Sequence, residues 1–357
     1  MDIEGKLDLI KQVGEEIITE EELKRLLETK EHPVAYDGFE PSSTDIHIAQ
    51  GILRAININK MTKTGIKFKM LVADWHAWAN NKLNGDLEKI QIVGKYLIEV
   101  WRNCGMDLKN VEFLWVSDYV KDPEYWKKVM QIARNSTVNR IIRTGQIMGR
   151  KESDVQQASQ ILYPCMQAAD IFQLKADITQ LGMDQRKVNV LARELAPSLG
   201  FNKPVIVSHH MLMGLGEPPR TKDIDRVIDL KMSKSKPDTA IFMNDSEEDI
   251  KRKIGKAYCP AKVTEENPML EYAKYLVFEK FSTMEIKRHE KFGGDVVIEN
   301  YSELERLYRE SKIHPADLKG AVFQYINEMV KPVRDSFDKD AKLKKLLETI
   351  KEFEITR

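Results

Sequence analysis

Pro33-Val34-Ala35-Tyr36-Asp37-Gly38-Phe39 is a short apolar run that stops in a turn, and Glu40-Pro41-Ser42-Ser43-Thr44-Asp45 is polar loop. Ile46-His47-Ile48-Ala49-Gln50-Gly51 then opens a helix that continues through Ile52-Leu53-Arg54-Ala55-Ile56. An apolar run of this length, bounded by turn residues, predicts a buried strand. Strand, polar loop and helix start in succession put unpaired N–H groups and the positive end of the helix dipole where a phosphate can bind. His47 falls in the first helical turn, either as a phosphate ligand or as a satisfied structural histidine.

The neighbouring segments repeat the pattern. Ile66–Asp74 predicts a second strand, followed by Trp75-His76-Ala77-Trp78 as a turn or helix start. Asp86–Cys104 is amphipathic helix, with Ile90, Val93, Leu97, Val100 and Trp101 at helical spacing. Val111–Val116 is a third strand, Ala176–Arg186 is strand, turn and helix start, and Pro204–His210 is a fifth strand. The order β-α-β-α-β predicts an α/β fold with a Rossmann-like, doubly wound parallel sheet. Residues 3–30 read as a helical arm, with Thr19 an N-cap and Glu22 its capping-box partner.

From about residue 240 the pattern turns helical: Glu247–Tyr258 behind Ser246, then Met269–Phe278, Tyr301–Ser311, Pro315–Phe337 and Lys339–Phe353. The chain therefore divides into an α/β domain, 1–236, and an all-helical C-terminal domain, 237–357.

Composition bounds the function. Of 357 residues, 42% are hydrophobic and 31% charged, a globular balance with enough chain for two cores. No apolar run approaches a membrane span, and the acidic start Met1-Asp2-Ile3-Glu4 lacks a signal-peptide apolar region. Cys104, Cys165 and Cys259 lie far apart, against a zinc site or a disulfide framework, and point to a reducing cytoplasm. Net charge is zero, so any RNA contact needs charge segregated onto one face. Lys127, Lys128, Arg134, Arg140, Arg143, Arg150 and Lys151 occur with no acidic residue between Lys127 and Lys151. That stretch is either an RNA-backbone contact or a solvated helix face.

Two further stretches carry chemistry. Lys231-Met232-Ser233-Lys234-Ser235, then Lys236-Pro237-Asp238, is a cationic loop that Pro237 keeps out of helix. Its ammonium groups suit a polyphosphate, although a solvated surface turn has the same composition. In Ile161–Ile171, Pro164 suits a first helical position. Tyr163, Gln167 and Asp170 share one helix face among apolar neighbours. Buried polar groups there need either a ligand or an internal hydrogen-bond network.

Taken together, the motifs resemble tyrosyl-tRNA synthetases of the archaeal and eukaryotic type over nearly the whole chain. They are Tyr36-x-Gly38-Phe39-Glu40-Pro41-Ser42, His47-Ile48-Ala49-Gln50, Val72-Ala73-Asp74-x-His76-Ala77, Tyr163-Pro164-x-Met166-Gln167-x-x-Asp170, Gly182–Lys187, the Lys231–Ser235 loop, Tyr258-Cys259-Pro260, Lys291–Asp295 and His314-Pro315-x-Asp317-Leu318-Lys319. Lys-Met-Ser-Lys-Ser is the ATP-loop signature of class I aminoacyl-tRNA synthetases.

The resemblance implies ATP-dependent activation of L-tyrosine, assisted by Mg2+, then transfer to tRNA(Tyr). It implies His47, Lys231, Ser233, Lys234 and Ser235 as catalytic groups, and ATP contacts from Gly38, His47, Gln50, Met232 and Lys234. Tyr36 and Asp170 match the pair that binds the phenolic hydroxyl, a discrimination for which tyrosyl-tRNA synthetases are themselves the standard example. Tyr163, Gln167 and Gln185 match the holders of the α-amino group, and His76 lies near the pocket. Phe292, His314 and Asp317 match the anticodon site, where Phe292 could stack a base and Asp317 accept from a guanine edge. A homodimer is also implied, with an insert around 118–175 at the two-fold.

The chain departs from the family pattern at Ala49 and Gln50, where class I enzymes usually carry glycine and a second histidine. Gln50 offers an amide donor to ATP in place of the imidazole. The Ser43-Thr44-Asp45 loop is one residue longer than the common form. The rival readings are tryptophanyl-tRNA synthetase, a non-catalytic RNA-binding relative and a nucleotidylyltransferase. Asp170 and the Tyr36 motif favour tyrosine over tryptophan.

Overall fold

The computed structural model describes residues 1–43, 45–148, 157–219, 230, 232 and 237–353. Lys231, Ser233, Lys234 and Ser235, together with Arg150 and Lys151, lie outside the described residues.

Six strands form the main sheet: β1 (Gly14–Ile18), β2 (Val34–Phe39), β3 (Lys67–Val72), β4 (Val111–Trp115), β5 (Ile178–Gly182) and β6 (Val205–His209). Their spatial order is β1-β6-β5-β2-β3-β4. All neighbours are parallel except β1, which runs antiparallel to β6 at the edge. The helices on this sheet are α1 (Ile3–Lys11), α2 (Glu20–Thr29), α3 (Arg54–Lys63), α4 (Asp74–Ala79), α5 (Leu87–Asn103), α6 (Val116–Tyr119), α7 (Pro123–Arg134), α8 (Val138–Thr144), α9 (Ala158–Gln173) and α10 (Arg186–Leu199).

The strand order reverses between β2 and β5. Pairing of β2 with β3 continues to Phe39↔Val72, whereas pairing of β2 with β5 covers only Ala35↔Ile178 and Tyr36↔Thr179. The sheet therefore splits just beyond Tyr36, at the carboxyl ends of its strands. That is the switch-point crevice where open α/β sheets bind ligands.

Several details differ from the sequence reading. The N-terminal arm is not wholly helical, because Gly14–Ile18 is a strand. Two adjacent glutamates hide it, and an edge strand tolerates them on its exposed side. With β1 counted, Val205–His209 is the sixth strand and the sheet is mixed. Thr19 caps α2 by accepting from Glu22 N at 3.2 Å. The Glu22 carboxylate, however, pairs with Arg193 and Lys203 rather than closing a capping box. Pro164 lies inside α9, which begins six residues earlier.

The C-terminal part is not all-helical. Beside helices Glu247–Lys256, Pro268–Tyr272, Tyr301–Arg309, Pro315–Lys339 and Ala341–Lys351 it holds a hairpin, β7 (Met284–Ile286) and β8 (Val296–Ile298). Met284, Ile286 and Ile298 are fully buried, but three-residue strands are too short to show a period of two in sequence. One apolar cluster runs from α1 and α5 through Met269, Tyr272 and Leu318 to Ile350. Phe337 of the long helix meets Tyr96 of α5 edge-on at 5.2 Å. The C-terminal helices thus share a core with one face of the sheet. A second apolar cluster, on the other face, packs Tyr36 and Leu71 against α6–α10.

Candidate active site

Tyr36 is the last β2 residue paired on both sides, and its side chain is buried. Residues two apart on a strand share a face, so the Tyr36 ring lies over Gly38. A Cβ added at Gly38 would stand 3.0 Å from the Tyr36 hydroxyl. Glycine is therefore what lets the phenol lie along the strand into the crevice.

Asp170 arrives from α9 and is completely buried. Its Oδ1 accepts from the Tyr119 hydroxyl at 2.8 Å, and its Oδ2 lies 3.1 Å from His76 Nε2. Burial first, and then the Asp170 charge, push the Tyr36 and Tyr119 phenols well above their ordinary pKa. Both stay neutral and can donate. An ionised carboxylate only accepts, and two oxygens offer more sites than Tyr119 fills. The pocket floor is thus a hydrogen-bond acceptor, with Tyr119 and His76 against it.

The remaining candidates line the adjoining wall. His76 meets Tyr163 edge-on at 4.9 Å. The Tyr163 hydroxyl donates to Glu40 Oε2 at 3.4 Å, while Asn80 Nδ2 donates to Glu40 Oε1 at 3.0 Å. Gln167 Nε2 donates to Gln185 Oε1 at 3.1 Å, and Gln185 in turn donates to Ile147 O. Tyr36, His76, Tyr163, Gln167, Asp170 and Gln185 therefore converge on one place, the split between β2 and β5. Sequence reasoning missed Tyr119, Asn80 and the role of Glu40. Tyr119 follows β4 by a single helical turn, and its position just past a strand's carboxyl end was the available signal.

The candidate phosphate-binding residues lie around residues 46–48. His47 does not sit in a helical turn. It forms an isolated antiparallel bridge with Phe242, flanked by Ile48 N→Ile241 O at 2.9 Å and Met243 N→Ile46 O at 2.7 Å. Its Nδ1 accepts from Gln50 N at 3.3 Å, and a π-turn, Ala49–Leu53, precedes α3. Gln50 O accepts from Trp101 Nε1 at 2.8 Å, and among the described residues its side-chain oxygen is buried without a hydrogen-bond partner. Leu230 and Thr239, which flank the lysine loop in the chain, are anchored to the segment after β6. Gly214 N donates to Leu230 O and Leu215 N to Thr239 O, each at 2.8 Å. Met232 packs in the core. The His47 element is tied through the backbone to residues 241–243, which follow the lysine loop in the chain.

The third group of candidates lies in the C-terminal part. Phe292 is 62% exposed, with the Lys291 ammonium 4.8 Å from its ring centre. His314 caps the helix Pro315–Lys339, accepting from Ala316 N, and Asp317 lies in its first turn. A cavity of about 390 Å³ opens beside Phe292, bounded by Arg288, Leu307 and Lys312. In the basic stretch, acidic partners come from outside the run. Lys127 pairs with Glu124, and Arg140 with Glu194 of α10. Arg134 and Arg143 remain exposed.

Residues 28–331 match the family model described as tRNA synthetases class I (W and Y). The chain is 49% identical to cytoplasmic tyrosine–tRNA ligase 1 of Arabidopsis thaliana, over all of this chain and 90% of that one. It is 40% identical to a tyrosine–tRNA ligase of Saccharolobus islandicus, covering 98% of each. The crystal structure of tyrosyl-tRNA synthetase from Pyrococcus horikoshii, complexed with L-tyrosine, superposes with a TM-score of 0.90 at 38% identity, over 98% of this chain and 100% of that one.

Proposed function

The chain belongs to the class I tRNA synthetases of the tryptophan and tyrosine group, and on that premise we propose how its residues divide the work of a tyrosine–tRNA ligase. It activates L-tyrosine with ATP, giving tyrosyl-adenylate and pyrophosphate, and transfers the tyrosyl group to the terminal adenosine of tRNA(Tyr). In the first step a carboxylate oxygen of tyrosine attacks the α-phosphorus of ATP, and the bond to the pyrophosphate oxygen breaks. The substrate is the nucleophile, so the protein's task is placement and charge stabilisation.

Tyr36 and Asp170 receive the phenolic hydroxyl. Asp170 accepts a hydrogen bond from it, and phenylalanine offers none, leaving a buried carboxylate short of a partner. Tyr163, Gln167 and Gln185 hold the α-amino group, and His76 closes the pocket beside Tyr163. Gly38, His47, Gln50 and Met232 form the ATP side. Lys231, Ser233, Lys234 and Ser235 follow the charge that moves onto pyrophosphate. Magnesium arrives on the ATP phosphates, as is usual for this ion. Among the described residues no group of three or more His, Cys, Asp or Glu side chains could hold a metal. In the second step a ribose hydroxyl attacks the tyrosyl carbonyl and AMP leaves.

Phe292, His314 and Asp317 read the anticodon, residues 118–175 make the two-fold contact of a homodimer, and the enzyme works in the cytoplasm. Among the described residues no helix is long and apolar enough to cross a membrane.

The observation that supports the tyrosine pocket is the buried Asp170 carboxylate, held by Tyr119 and facing Tyr36 where the sheet splits. ATP–pyrophosphate exchange with tyrosine, phenylalanine and tryptophan tests it. Exchange driven by tyrosine alone is expected; equal exchange with phenylalanine would remove the role given to Asp170.

A further inference from the structure

We propose that Asp74 is a positioning residue for tyrosine selection, because its buried carboxylate ties together the two short helices that hold Asp170. This rests on the reading of Asp170 as the acceptor of the substrate phenol. Asp74 opens α4 at the end of β3 and is completely inaccessible. Its Oδ1 accepts from Trp75 N at 3.0 Å and from Ser117 N at 3.2 Å. Its Oδ2 accepts from Gln91 Nε2 of α5 at 3.0 Å and from the Ser117 hydroxyl. Gln91 also donates to Ser117 Oγ at 3.0 Å. One side chain thus joins the starts of α4 and α6, which follow adjacent parallel strands, to the second turn of α5.

The consequence lies two residues further along each helix. His76 is two residues past Asp74 on α4 and stands 3.1 Å from Asp170 Oδ2. Tyr119 is two residues past Ser117 on α6 and donates to Asp170 Oδ1 at 2.8 Å. A helix of four residues (α6) or six (α4) has little rigidity of its own, since a single turn costs more order than it gains in hydrogen bonds. Their relative placement must come from a tertiary tie. The Asp74 carboxylate supplies it through charge-assisted hydrogen bonds, the stronger kind. Asp74 touches no substrate; it acts through His76 and Tyr119 on the orientation of Asp170.

The test uses the full-length enzyme in ATP–pyrophosphate exchange with tyrosine and phenylalanine. Asp74→Asn keeps the shape but turns one acceptor into a donor facing Ser117 and Gln91. It is expected to raise KM for tyrosine about tenfold, to leave KM for ATP within about twofold, and to lower the tyrosine-to-phenylalanine ratio of kcat/KM about tenfold, the size of one lost charged hydrogen bond. Tyr119→Phe should lower that ratio similarly, and the double variant should do no worse than the more damaging single change, because residues acting through one contact couple.

A general structural role would instead raise both KM values together and give multiplicative effects in the double variant; either result overturns the proposal. Should Asp74→Asn lose its circular-dichroism melt, Ser117→Ala removes only one donor and is expected to lower the ratio about threefold. An unchanged ratio in that variant also overturns it. Absence of tyrosine-dependent exchange in the unmodified enzyme would strike the reading of the pocket itself. Normal exchange with an unchanged ratio in the variants would strike only the positioning role.

Discussion

At the residue scale the pocket is decided by what a fully buried carboxylate requires. Asp170 has Tyr119 at 2.8 Å and His76 at 3.1 Å, and the neutral Tyr36 phenol nearby. Asp170→Asn replaces an acceptor by a donor beside the Tyr119 hydroxyl, which already donates. Each hydrogen bond to a charged group is worth about 1.5–3 kcal/mol, so kcat/KM for tyrosine should fall about 100-fold, chiefly through KM for tyrosine. Pyrophosphate exchange at varied tyrosine measures this, and a loss under about fivefold would mean that the phenol binds elsewhere. Asp170 could be singled out in the sequence because it shares a helix face with Tyr163 and Gln167. Tyr119 could not. Ser117-Asp118-Tyr119 has no periodicity, and its meaning arises only when β4 and α9 are brought side by side.

At the scale of elements, the π-turn after His47 depends on close approach. Gly51 lies against Met243, and a Cβ there would stand 2.6 Å from its sulfur and 2.8 Å from its Cγ. Met243 is fully buried, so its side chain has nowhere to yield. Alanine normally gains up to about 1 kcal/mol over glycine inside a helix, but overpacking costs about 1–3 kcal/mol, so the clash wins. Gly51→Ala should lower Tm and slow exchange by pushing residues 241–243 off 46–48, and Gly51→Ala with Met243→Ala should recover part of the exchange rate. A Tm at or above that of the unmodified chain would show the contact to be loose.

The same scale explains what the sequence could reveal. Strands β2, β3, β5 and β6 are largely buried in the sheet and read as strands, edge strand β4 is still mostly apolar, and α5 shows its stripe plainly. The β1 strand, with its paired glutamates, and the three-residue β7 and β8 carry too little pattern. Pro164 imitates a helix start because proline's preference for a first turn is local, whereas the packing of α9 between α7 and α10 decides where the helix begins. The lysine loop was recognisable as a string of residues. The pairing of residues 46–48 with 241–243, beyond that loop, joins segments nearly two hundred residues apart and has no local signal.

At the scale of the molecule, charge and core join the parts. Arg140 is held by Glu194, so among the described basic residues Arg134 and Arg143 are better placed to meet RNA. Reversing both to glutamate should reduce tRNA charging about tenfold more than it reduces pyrophosphate exchange, most visibly at low salt. Equal losses in the two assays would assign the stretch to structure.

The junction between sheet and C-terminal helices carries a second charge device, centred on His210 just past β6. Its Nδ1 lies 2.7 Å from Glu15 Oε2 of β1, its Nε2 lies 3.1 Å from Glu271 Oε1 of Pro268–Tyr272, and its ring stacks on Tyr275 at 4.3 Å. Glu271 also accepts from Met213 N at 2.6 Å, on the segment leading to the lysine loop. Burial alone would lower the His210 pKa, but the bonds to Glu15 and Glu271 outweigh it and raise it to about 9. Neighbouring His209 is pushed down to about 3 by burial and then Arg54, and so stays neutral. Lys274, over the Tyr275 ring, is the other nearby cation.

A histidine whose pKa rises on folding stabilises fully below its unfolded value, near 6.5, and loses that contribution as pH climbs through about 9. Glu15, lowered by its bond to His210, contributes above its ordinary carboxylate range and loses its share as pH falls. The three-way contact is therefore strongest near pH 6. Tm should fall between pH 6.5 and 9.5, and His210→Gln should remove that part of the slope while costing about 2 kcal/mol at pH 6, a few degrees in Tm. Thermal melts of both proteins across this range decide the matter. An identical alkaline slope in the variant would mean that β1, β6 and the C-terminal helices are held by their shared apolar core alone.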